Sequence, residues 1–88
     1  MNRIEFVKFL SKTNSSKIGD VMRRGMSLAT RKFFHYDIQL YALDNFYVEI
    51  WRSERVQSIL LVQGYKDTSC LSNYLGGVNI SEVTSLQS

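Results

Sequence analysis

Three successive runs between residues 36 and 65 alternate apolar and polar positions: Tyr36 to Leu43, Phe46 to Trp51 and Val56 to Tyr65. A period of two marks strands that bury one face, and the aromatic and β-branched residues concentrated here suit a pleated, half-buried surface. The pattern predicts a three-stranded antiparallel β-meander around which the rest of the chain is organised.

Parity bears on the register of the first hairpin, because a one-residue slip moves every side chain to the opposite face. A two-residue Asp44-Asn45 loop would set Leu40 beside Glu49 and Ile38 beside Trp51, mixing apolar and charged groups. A three-residue loop, Leu43-Asp44-Asn45, pairs Ala42 with Phe46, Leu40 with Val48 and Ile38 with Ile50, and places Asn45 in the left-handed position that asparagine tolerates. The expected core face is then Tyr36, Ile38, Leu40, Ala42, Phe46, Val48 and Ile50.

The third run is apolar without alternation across Ile59, Leu60, Leu61 and Val62, which implies burial on both sides. Parity does not fix its register. With Ser53-Glu54-Arg55 as the turn, Val56, Leu60 and Val62 point to the core, while Ile59, Leu61 and Tyr65 join Tyr41, Tyr47 and Trp51 on the other side. So large an apolar surface needs a cover, either the chain's own C-terminal segment, with Leu71, Tyr74, Leu75 and Val78, or a second copy, and Tyr41, Tyr47, Trp51, Leu61 and Tyr65 form the candidate interaction face.

Helical spacing dominates the N-terminal third. Ile4, Val7 and Leu10 predict a helix from about Arg3 to Lys12, with Asn2 as its cap and Glu5 completing a capping box. Thr13-Asn14-Ser15-Ser16 reads as a turn and a new cap, opening a second helix from about Lys17 to Phe34 whose apolar arc holds Ile18, Val21, Met22, Met26, Ala29 and Phe33. Gly19 and Gly25 each weaken it by roughly 1 kcal/mol relative to alanine. Beyond residue 67, Thr68 or Ser69 would start a short helix through Leu75, ended by Gly76-Gly77, with Asn79 or Ser81 beginning a further turn. The fold class is thus α+β: N-terminal helices packed on a three-stranded antiparallel meander, followed by a short helical C-terminal segment.

The length of 88 residues and an apolar content of 44% allow one domain, spanning 1–88, with a small core. The charges at Arg3, Glu5 and Lys8 interrupt any secretion signal, no run reaches membrane-spanning length, and a lone Cys70 forms no internal disulfide. The expected location is the cytoplasm.

Charge is polarised. Residues 1–34 hold eight basic and two acidic side chains, whereas the rest of the chain is net acidic. On the expected second helix, Lys17, Arg24 and Arg31 recur every seven residues in a stripe about 21 Å long, flanked by Arg23 and Lys32. These three are the candidate phosphate contacts should the chain bind nucleic acid; a solvated helix face is the simpler account of the same pattern.

Candidate chemistry is sparse. His35, the single histidine, shares a strand face with Asp37 and could form an acid–base pair, but no nucleophile accompanies it. His35 with Cys70 supplies two metal ligands where zinc ordinarily takes three or four. No catalytic residue, cofactor-binding residue or metal ligand is therefore assigned, and no cofactor is expected.

The order of helix, three strands and helical segment resembles the topology of a double-stranded-RNA-binding domain, yet residues 67–88 carry none of the lysine or arginine on which that family's last helix relies. The stretch from Tyr41 to Trp51, followed by Asn73-Tyr74-Leu75 and Asn79-Ile80-Ser81-Glu82-Val83, resembles small uncharacterised proteins of Bacteroidetes-type bacteria over about half the chain. That resemblance implies a fold and no functional residues.

The leading expectation is a small non-enzymatic interaction or assembly module, self-associating as a homodimer or docking an unidentified protein. Nucleic-acid binding through the basic helix is the alternative. A small ribonuclease built on His35, Arg52, Arg55 and Lys66 is the second alternative. No membrane association is expected.

Overall fold

The Thr13 hydroxyl accepts a hydrogen bond from the Ser16 backbone N–H at 3.2 Å, satisfying one of the unpaired donors at a helix start. From that cap the chain winds its longer helix. In the structure, a computed structural model in which residues 4–56 and 58–74 are described, the elements follow in the order α1 (Phe6–Leu10), α2 (Asn14–Arg24), β1 (Met26–Phe33), β2 (Tyr36–Leu43), β3 (Phe46–Ser53), β4 (Ile59–Tyr65) and a 3₁₀ helix (Thr68–Tyr74). The strands form one antiparallel sheet in sequence order. The fold is therefore α+β with an antiparallel sheet, as expected, but the sheet has four strands rather than three.

The added strand comes from residues 26–33, which the apolar spacing assigned to the second helix. The helix stops at Gly25, whose backbone is extended (φ −78°, ψ 148°). Its N–H still bonds the Val21 carbonyl, and a Cβ at this position would stand 2.6 Å from that same oxygen. Glycine is what permits so abrupt a change of direction. Downstream, Ala29, Arg31 and Phe33 alternate toward one face while Thr30 and Lys32 take the other. Three apolar residues at near-helical spacing concealed this period of two.

The first-hairpin register also differs from expectation. Leu43 pairs with Phe46 across a two-residue Asp44-Asn45 loop, so Leu40 does lie beside Glu49 and Ile38 beside Trp51. The left-handed residue is Asp44 (φ 55°), not Asn45. Asp44 also accepts the Ile4 N–H at 2.8 Å and the Arg24 guanidinium at 3.0 Å, which ties the loop to both helices. Glu49 is fully buried rather than solvated, so its apolar neighbours do not exclude this register.

As a result both faces of the sheet are buried, by different parts of the chain. On the inner face Leu43, Phe46, Val48, Ile50 and Val62 form a core with Phe9 of α1 and Val21 of α2, joined by Tyr41 and Ile59 at its margin. Phe9 and Phe6 meet Phe46 with ring centroids 5.1 and 5.3 Å apart. Burying each such side chain contributes about 1.5–3 kcal/mol. Gly64 lets α1 approach β4 closely: a Cβ there would sit 3.1 Å from Leu10 and 3.2 Å from Phe6. Of the expected core face, Phe46, Val48 and Ile50 lie here, whereas Tyr36, Ile38, Leu40 and Ala42 belong to the outer face.

Helix α1 is shorter than the expected Arg3 to Lys12. Glu5 is its N-cap and makes no side-chain cap bond, while Asn2 and Arg3 lie outside the described residues, as do Leu75, Gly76-Gly77, Val78, Asn79 and Ser81. Both edge strands are interrupted. The β1 ladder skips Leu28 and the β4 ladder skips Leu60, each a one-residue bulge. Val56 and Leu60, expected in the core, are exposed; Val62 is buried. No helix among the described residues is long and apolar enough to cross a membrane.

Candidate functional site

The outer sheet face is organised by one carboxylate. Glu49 on β3 is fully buried (0% exposed) and accepts hydrogen bonds from every side. Its Oε1 takes the Trp51 indole N–H and the Tyr65 hydroxyl, each at 3.0 Å. Its Oε2 takes Arg31 Nε at 3.3 Å and a terminal guanidinium nitrogen at 3.2 Å, together with the Tyr74 hydroxyl at 2.5 Å. A buried charge is tolerable only when paired and fully bonded, and Glu49 meets that condition.

Arg31 completes the arrangement. Its guanidinium lies 5.4 Å from the Trp51 ring centroid and 5.3 Å from that of Tyr74, a cation sandwiched between two aromatic faces. Tyr74 is the last described residue of the 3₁₀ helix, so this contact draws the chain from β4 at one edge of the sheet across the outer face toward β1 at the other. Burial and the neighbouring Glu49 charge push the Tyr65 hydroxyl up to about 12, and the same two influences raise that of Tyr74 further. Cys70, buried beside them, has its thiol raised by burial and by Glu49. A thiol held protonated is a poor nucleophile. Both carboxylate oxygens of Glu49 are thus engaged, and the centre ties β1, β3, β4 and the 3₁₀ helix together.

What the 3₁₀ helix leaves uncovered is the end of the outer face at the β1–β2 turn. There Phe33 contacts Phe34 at 4.6 Å and Trp51 at 6.0 Å, and Tyr36 meets Trp51 at 5.9 Å. Leu61 pairs with Trp51 on the adjacent strand. Phe33 is 46%, Phe34 79% and Leu61 41% exposed. Phe34 is held at φ 54° in the two-residue Phe34-His35 loop, an unfavourable conformation for a bulky side chain. The result is a continuous aromatic surface at a rigid strand end.

The expected interaction face is thus partly assembled. Tyr47, Trp51, Leu61 and Tyr65 share the outer face, but Tyr41 lies on the inner one. Tyr65 and Trp51 turn their polar atoms inward to Glu49, which fixes them as walls of the surface rather than free contacts. Phe33 and Phe34 were missed because the helical reading ran through residue 34, and Tyr36 because the three-residue loop assigned it to the core face. The run Phe33-Phe34-His35-Tyr36, four rings in succession, was the available signal.

The basic stripe does not exist as a stripe. Lys17 lies on α2 with its ammonium 5.9 Å from the Phe9 ring centroid. Arg24 ends α2 on Asp44, and Arg31 is on β1, bound to Glu49. The helix that would have aligned them ends at Arg24. His35 and Asp37 are likewise separated in function: the His35 ring stacks 4.7 Å from Tyr36, while Asp37 pairs with Lys32 at 3.2 Å. Arg52 and Arg55 sit at the same end of the sheet as His35, but Lys66 follows β4 at the opposite end. Among the described residues no group of three or more His, Cys, Asp or Glu side chains is arranged to hold a metal ion.

Comparison with protein-family models, with curated proteins and with solved structures finds no match, so the functional reading rests on the chain's own geometry.

Proposed function

We propose that this chain is a small non-enzymatic interaction module that self-associates through the aromatic end of its outer sheet face. The observation that carries the reading is the contiguous surface of Phe33, Phe34, Tyr36, Trp51 and Leu61, left open beside the segment held by Glu49. Large aromatic side chains bury much area with few rotatable bonds, and a two-fold axis lets one such patch complement itself.

Two cations near the patch are already paired. Arg31 is held by Glu49, and Lys32 by Asp37 and Glu54. A surface meeting its own copy benefits from such pairing, because unpaired charge near the two-fold axis would face its like.

Sedimentation of the full chain across the micromolar range tests the reading. Wild type is expected to dimerise, and Phe33→Glu or Phe34→Glu to leave a folded monomer, whereas Val7→Glu, on the exposed side of α1, should behave as wild type. Trp51→Glu is unsuited to the purpose, because it would place a second carboxylate against Glu49. A wild-type chain that stays monomeric at high micromolar concentration rejects self-association.

A further inference from the structure

The inner face carries a second recess, independent of the aromatic end. Helix α2 spans only part of the sheet, and beside it Ile18 and Met22 form the wall of a groove of about 540 Å³. Its floor is Tyr41, Ile50 and Ile59. Thr30, Lys32, Asp37, Gln39 and Arg52 surround it. Its volume falls in the range of small-molecule sites, and its lining is divided between apolar and polar side chains.

The charge of the rim identifies the ligand class. Lys32 and Asp37 form an ion pair at 3.2 Å, and the Arg31 charge is engaged by Glu49 on the opposite face. Arg52 has no carboxylate partner among the described residues, although it stands directly across from Asp37 in the strand pairing. Among the described residues the Arg52 guanidinium, on the lining of the trough, is thus left without a carboxylate. Guanidinium recognises carboxylate in bidentate geometry.

We propose that this groove binds a small amphipathic carboxylate, with its aliphatic chain against Ile18, Met22 and Tyr41 and its carboxylate on Arg52. The arrangement would discriminate by head group. A carboxylate gains the Arg52 contact, an alcohol of equal length loses the charge-assisted bond, and a quaternary ammonium meets a like charge.

The test is a titration of the isotopically labelled full chain with octanoate, octanol and octyltrimethylammonium below their micelle concentrations, followed by amide chemical-shift mapping. Octanoate is expected to shift resonances of Tyr41, Ile50 and Ile59 saturably. Arg52→Ala should weaken it by about tenfold, the scale of one charge-assisted hydrogen bond, and Arg52→Lys by less. Met22→Glu, a change at an exposed side chain, should abolish binding. The proposal is overturned by octanol or octyltrimethylammonium binding as tightly as octanoate, by an unchanged affinity in Arg52→Ala, by shifts confined to the aromatic end, or by no saturable shift at millimolar octanoate.

Discussion

The Glu49 carboxylate and the Tyr74 hydroxyl stand 2.5 Å apart although 25 residues separate them in the chain. This contact joins the centre of the sheet to the segment that crosses it. Tyr74→Phe keeps the ring on Arg31 and removes only the hydroxyl, so we expect a loss of about 1–3 kcal/mol. Glu49→Gln leaves Arg31 without its counter-charge and should cost about 3–5 kcal/mol. In urea denaturation the double variant should lose less than the sum of the single ones, because the two groups share one network. Additive losses would show that they act independently.

Alkaline pH should open the same centre. The Tyr65 hydroxyl ionises near 12 in the folded chain against 10 when free, and Tyr74 is raised as well. A raised folded-state value means that the folded chain holds its proton more tightly than the unfolded one, so stability is fully present below pH 10 and declines as pH climbs through 12. Tyrosinate absorbance together with circular dichroism should show late-titrating tyrosines ionising as the fold is lost. Complete titration near pH 10 with the fold intact would contradict this.

The two hairpin loops should respond oppositely to substitution. Asp44, at φ 55°, accepts bonds from Ile4 and Arg24, so Asp44→Ala should destabilise by about 1–3 kcal/mol. At φ 54°, Phe34 carries the same backbone conformation on a bulky, exposed side chain. Phe34→Gly should stabilise the monomer by about 1 kcal/mol. Thermal denaturation at low protein concentration compares the two without a contribution from association.

Cys70 should be unreactive in the native state. The side chain is buried and its thiol is raised by burial and by Glu49. Reaction with a chromogenic disulfide should therefore be slow until denaturant is added. Rapid labelling of the folded chain would mean that the 3₁₀ helix lifts readily from the sheet.

Strands β2 and β3 were legible because their signal is local, while the cap was narrowed only to Thr13 through Ser16 and α2 begins at Asn14 rather than near Lys17. Alternation located β2 and β3, and a hydroxyl three residues from the donor it satisfies is a short-range pattern. The register was not legible, because it depends on whether Glu49 faces water, and its partners lie on β1, β4 and the 3₁₀ helix. The awkward juxtaposition of Leu40 with Glu49 was in fact the signature of a second buried face. Arg31 was misplaced for a related reason: a helix ended by Gly25 and a helix continuing through it share the same apolar spacing up to Met22. The unfilled groove beside α2 escaped notice because it exists only where the helix falls short of β1.

The bulges at Leu28 and Leu60 limit how copies of this molecule can assemble. A regular edge strand presents an unbroken row of amide and carbonyl groups, and pairing edge to edge then repeats without end. Here both outer strands of the described sheet are interrupted, and Arg31 and Lys32 on β1 are drawn onto the sheet by Glu49, Asp37 and Glu54. Lateral growth into a ribbon is thereby discouraged at both sides. Contact through a face, as in the self-association proposed above, would instead terminate after one partner.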